Sequence, residues 1–204
     1  MAWALLLLAV FLDGTVPDTL PIWFLFVGAV PLWVCYGGGP LLTAARRGNG
    51  PVQDLGLTAR PRDFASGVAA GLVTQFLILW ALYFPILWFI DDDPSQPARE
   101  LINSIDGNLD RFLLIVLVTV AAPVVEEVFF RGLLLRALMR RFGPLVAVCV
   151  QAAVFAAVHA QWLQFPGLFV FGLVAGGLVA VTGRLGPAVI AHMAFNAGTL
   201  ALLL

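Results

Sequence analysis

The sequence predicts an all-α, polytopic membrane helical bundle of about seven helices (six to eight), some of them short or tilted. Three observations carry that prediction. Of the 204 residues, 61% are hydrophobic and 11% charged, whereas a soluble domain has about half and about a quarter. The apolar residues gather into seven runs. The arginines sort to one alternating set of the loops between those runs. A chain this long is expected to form one integral membrane domain, 1–204. A net charge of −1 argues against nucleic acid as a partner. All eleven basic residues are arginine.

The runs span 2–12, 20–36, 64–90, 112–138, 145–160, 166–182 and 187–204. A crossing helix needs about 20 apolar residues. The third and fourth runs are long enough to cross at a tilt, and the last three are short. The first, shorter still, has no basic leader and no small-residue cleavage site, so it is a poor match to a signal peptide. It reads as a tilted or interfacial helix, or as the remnant of a longer one. The stretch 37–62 is rich in Gly, Pro and polar residues and reads as a flexible connection. The acidic stretch 91–110 reads as a solvated connector. Cys35 and Cys149 lie in apolar runs and read as small buried hydrophobes, not as a disulfide or nucleophile.

Charge placement sets a topology. With a cytoplasmic N-terminus, Arg46, Arg47, Arg60, Arg62, Arg136, Arg140, Arg141 and Arg184 all fall on the cytoplasmic side. The opposite side collects Asp13, Asp18, Asp91, Asp92, Asp93, Asp106, Asp110, Glu100 and only two arginines, Arg99 and Arg111. This is a positive-inside pattern, and it sets the C-terminus outside.

Three charged residues escape that sorting: Glu126, Glu127 and Arg131, in "VEEVFFRG". Glu126 is about 21 Å along a helix from Arg140 and a similar distance from Arg111, which is mid-bilayer. Each such charge costs on the order of 3 kcal/mol to insert, so all three must face protein or a wet cavity. Glu127 and Arg131 are at i and i+4 with the acid first, the spacing and order of an ion pair. Glu126 points elsewhere and is left over. Pro123 removes one helical hydrogen bond beside it.

Both histidines are also intramembrane. His159 ends "VFAAVHA" in the fifth run, with Phe155 four residues before it. His192 begins "HMAFN" in the seventh, with Asn196 four residues on. A spare Glu, two His and an Asn on three separate helices can activate water or hold a divalent metal such as zinc. Read singly, each could also be a helix-linking hydrogen bond. Other intramembrane chemistries lack their residues. There is no HExxH, every Asp sits in a loop or at a run boundary, and none of the three serines lies mid-run or in GxSG.

The three motifs "EEVFFR", "FAAVH" and "HMAFN" match EExxxR, FxxxH and HxxxN in that order. The chain thereby resembles the CPBP family of CAAX-processing and bacteriocin-processing intramembrane endopeptidases, which also includes abortive-infection-like proteins. The resemblance covers about 112–204, the motif-bearing core. It implies that Glu126 and His159 activate the attacking water. It implies that His192 and Asn196 stabilise the oxyanion, with Glu127 and Arg131 in support. If a metal is bound, Glu126, His159 and His192 would be its ligands. The implied partners are the bilayer and a membrane-associated or lipidated peptide. Nothing in the chain identifies a prenyl pocket. An ion-coupled transporter and a non-catalytic scaffold or immunity protein are the competing classes.

Depth counting raises one difficulty. His159 lies about 27 Å from Arg141, and His192 only about 12 Å from Arg184. Straight, perpendicular helices would not bring them together, so tilt or a thinned bilayer is required. Gly172 and Gly176, at GxxxG spacing, would let the short helices pack closely.

Overall fold

The computed structural model describes residues 22–203; the expected first helix, 2–12, lies outside them. The described residues form helices and no strand. We number the main helices α1 (22–47), α2 (Pro61–Ile86), α3 (Gln96–Asn103), α4 (108–142), α5 (144–158), α6 (Phe165–Thr182) and α7 (Gly186–Leu203). Among the described residues, five helices are long and apolar enough to cross a membrane. One of the five, Asn108–Val158, is broken at Gly143, whose φ of 77° and ψ of 170° reverse the chain. It is therefore two helices, α4 and α5. Glycine tolerates that left-handed φ without a Cβ penalty, and Pro144 behind it cannot continue α4. The protein is an integral membrane protein. Its large apolar side chains, such as Trp80, Trp88 and Leu145, stand on the outside of the bundle, where lipid and not water meets them.

Glycines set the closest helix contacts. At Gly172 an added Cβ would fall 2.8 Å from Ala152, so α5 and α6 touch backbone to backbone, as the GxxxG spacing predicts. A second pair, Gly67 and Gly71 of α2, does the same against α7. Added Cβ atoms there would lie 2.8 Å from the Pro187 carbonyl and 2.3 Å from that of Ala191.

Three expectations need correction. Cys35 and Cys149 are free but exposed, not buried; a thiol is apolar enough to face lipid. The segment 37–62 is docked, not loose. The helix runs on to Arg47, Leu55 is buried, and the Leu185 and Gly186 N–H groups donate to the Gly56 and Thr58 carbonyls. The acidic connector carries α3, whose Ile102 is buried, as is Ile105 just beyond it, and Gln164 Nε2 donates to the Pro94 carbonyl at 2.7 Å.

Candidate active site

Among the described residues three long helices carry four π-helical turns, and two of these turns lie on α4, around the paired glutamates. The first, Leu117–Ala121, has a local cause. Pro123 has no N–H, and the Ala122 N–H donates to the Leu117 carbonyl five residues back. The Val118 carbonyl takes its hydrogen bond from another helix instead: Asn196 Nδ2 on α7 donates to it at 2.8 Å. Proline thus opens α4 just before Glu126 and ties that opening to the HxxxN helix. Wide turns of this kind recur at functional sites.

Glu127 and Arg131 are wholly buried and form the expected pair, Nη1 to Oε1 at 2.8 Å. The guanidinium also lies 4.4 Å over the Phe155 ring and 5.7 Å from that of Phe171. The FxxxH phenylalanine is therefore a cation–π partner. Sequence reasoning missed one further bond: His192 Nδ1 lies 2.9 Å from the same Glu127 oxygen. A carboxylate only accepts, so His192 Nδ1 carries the proton. Its Nε2 is turned toward Glu126, 3.9 Å from Oε2. His192 is buried, whereas Glu126 is partly open to the cavity.

His159 is held by its own helix. Its Nδ1 lies 2.7 Å from the Phe155 carbonyl, which fixes the proton on Nδ1 and leaves Nε2 with a free lone pair. The Phe155 ring sits between the two imidazoles, with centroids 4.8 Å from His159 and 5.8 Å from His192. Glu126, His159, His192 and Asn196 all line one cavity of about 740 Å³. Its other walls come mainly from α2, α3, α6 and the outer part of α4, and most of its surface is apolar.

The depth difficulty dissolves at Gly143. Glu127 and His159 are each sixteen residues from that reversal, so an antiparallel α4–α5 hairpin sets them level. Arg140 and Arg141 are poor depth markers, because both are exposed and lie a turn of helix past the level that Arg136 marks. The better marker is Arg136, whose Nη2 donates to the Gly183 carbonyl at 2.6 Å. Measured from there, Glu126 is about 15 Å deep and His192, counted from Arg184, about 12 Å.

The residues fit a metal poorly. Among the described residues, no three His, Cys, Asp or Glu side chains are grouped as a metal site requires. Both imidazoles keep Nε2 free while Nδ1 bonds a protein acceptor, as metal-ligating histidines do, but a three-ligand Glu126–His159–His192 set is not assembled.

Comparison with known proteins agrees with the motifs. Residues 108–198 match the family described as type II CAAX prenyl endopeptidase, Rce1-like. That stretch holds all three motifs and both histidines and is similar to the family; the residues before it are not matched. No curated protein and no solved structure matches the chain.

Proposed function

We propose that this protein is an intramembrane endopeptidase that hydrolyses a peptide bond of a membrane-associated or lipidated substrate with a water activated by Glu126 and His159. The observation that carries the reading is the facing of Glu126 and His192 across 3.9 Å in a cavity that His159 and Asn196 also line. Water in that cavity has two acceptors, the Glu126 carboxylate and His159 Nε2. Either can take its proton as oxygen attacks the carbonyl carbon. The developing oxyanion needs donors aimed at it. Asn196 has a second amide N–H beyond the one given to Val118. When Glu126 takes the water proton and passes it across to His192 Nε2, His192 donates to the oxyanion as well, with Glu126 ionised again beside it and Glu127 holding Nδ1; the proton returns by the same path. The proton then passes from Glu126 or His159 to the leaving amine, and the products are a carboxylate and an amine.

The apolar cavity wall, with Leu79, Trp80, Leu101 and Phe195 among its residues, suits the hydrophobic part of a membrane-borne substrate. The arginine-rich end of the bundle is read as cytoplasmic, so the part of the cavity wall formed by Asp93, Pro94 and Ser95 is read as its outer side.

The test is cleavage in nanodiscs of peptides bearing a C-terminal prenylcysteine, alongside the same peptides unmodified. Unmodified protein should cut one or both sets at a defined bond, and Glu126→Gln and His159→Ala should cut neither. Full cleavage by either variant rejects the assignment.

A further inference from the structure

The arginine-rich end holds a second depression, apart from the cavity above, of about 320 Å³ between the end of α1 and α4. Arg47, Arg136 and Arg140 line it, with Thr43 beside them. Its only acidic group is Asp54, and that carboxylate is taken: it accepts from the Asn49 backbone N–H at 2.7 Å and from Asn49 Nδ2 at 3.4 Å. Among the described residues the arginine–carboxylate pairs are Arg99–Asp93, Arg131–Glu127 and Arg184–Asp63. None involves the three arginines of this depression.

Arg136 is set in advance. Its Nη2 is bonded to the Gly183 carbonyl, and a Cβ on Gly56 would fall 1.9 Å from that nitrogen, so the guanidinium is seated against bare backbone. Its Nε is buried and has no hydrogen-bond partner. Arg140 follows one turn later on the same helix face, a like-charge spacing that is unfavourable unless an anion lies between. A positioned guanidinium with two further arginines beside it is the arrangement that grips a phosphate. Leu133, on the same wall, is 38% exposed toward the bundle exterior, where acyl chains would lie.

We propose that this depression binds the phosphate of an anionic membrane lipid, with Arg136 as the fixed contact and Arg47 and Arg140 closing on the headgroup. This site is independent of the hydrolytic one. Native mass spectrometry of the full chain, released from nanodiscs of mixed phosphatidylglycerol and phosphatidylcholine, tests it. The unmodified protein should retain phosphatidylglycerol preferentially. Arg47→Gln with Arg140→Gln should lower that retention about thirtyfold, the scale expected for two arginines at an anionic headgroup. Arg46→Gln with Arg141→Gln removes the same charge at the same end but outside the depression, and should leave retention unchanged. Equal loss in the two double variants, or equal retention of both lipids by the unmodified protein, overturns the proposal. Displacement of the lipid by millimolar glycerol phosphate would assign the site to a soluble phosphate ester and overturn the lipid assignment.

Discussion

Glu127 holds His192 through the same carboxylate oxygen that holds Arg131, at 2.9 and 2.8 Å. The two adjacent glutamates of the motif therefore have different surroundings. Glu127 is buried, charge-paired and fixes an imidazole tautomer; Glu126 is partly open to the cavity. Glu126→Gln should remove activity by about 10²- to 10⁴-fold, the usual range for a general base, while the unfolding midpoint stays where it was. Glu127→Gln should lower both, because it uncouples Arg131 and His192 together. Paired cleavage assays and thermal unfolding in detergent separate the two. Equal loss of stability in both variants would contradict the division of roles.

Arg131 makes the second prediction. Removing one partner of a buried ion pair leaves the other charge stranded, at a cost of about 3 to 5 kcal/mol. Arg131→Met should therefore destabilise strongly, as it also removes the guanidinium from between Phe155 and Phe171. Adding Glu127→Gln should recover part of the loss, since no carboxylate is then left without its partner. A double variant no more stable than Arg131→Met would show that the rings, and not the ion pair, hold this part of the core.

Much of this arrangement is legible in the sequence because it depends on helical spacing. The i, i+4 relation predicts the Glu127–Arg131 pair, and it sets Phe155 and His159 on one face. The GxxxG spacing of Gly172 and Gly176 marks the α5–α6 contact. Relationships between helices are less legible. The bond from His192 to Glu127 joins residues 65 apart, and nothing local signals it. Depth is misread when the outermost arginines are taken as the membrane edge, because Arg140 and Arg141 project past the level that Arg136 marks. The close approach of α2 to α7 has a signal that can be found in hindsight, the Gly67–Gly71 spacing. The docking of Leu55 has none, since polar, Gly-rich composition reads as a loop whether or not it is packed.

That α2–α7 contact gives the third prediction. A Cβ on Gly71 would lie 2.3 Å from the Ala191 carbonyl and 2.9 Å from the Ala194 side chain. The backbone carbonyl cannot step aside as a side chain could, so the helices must separate. Gly71→Ala should cost about 1 to 3 kcal/mol, as overpacking does. Because His192 follows Ala191 directly, activity should fall even where the protein remains folded. Gly177→Ala is the control: a Cβ there meets nothing within 4 Å, and neither stability nor cleavage should change. Unaltered stability in Gly71→Ala would mean that the two helices are not held this closely in the membrane.

Pro123 and Asn196 make the last. Asn196 supplies the hydrogen bond that the proline-opened turn asks for at the Val118 carbonyl, so the two residues should be energetically coupled across 73 positions of chain. Asn196→Leu leaves that carbonyl unmet inside the bundle and should cost about 0.6 to 2 kcal/mol, the span measured for interhelical hydrogen bonds in membranes. Pro123→Ala restores a backbone N–H within reach of Val118 and lets α4 close. In that background Asn196→Leu should cost less, with a coupling of about 1 kcal/mol in a double-mutant cycle read by unfolding. The cleavage assay separates structure from chemistry. If Asn196 also donates to the oxyanion, activity stays lost in the double variant although stability returns. If its work ends at Val118, activity returns with stability. Strictly additive stability changes would remove the link between the proline and the HxxxN helix altogether.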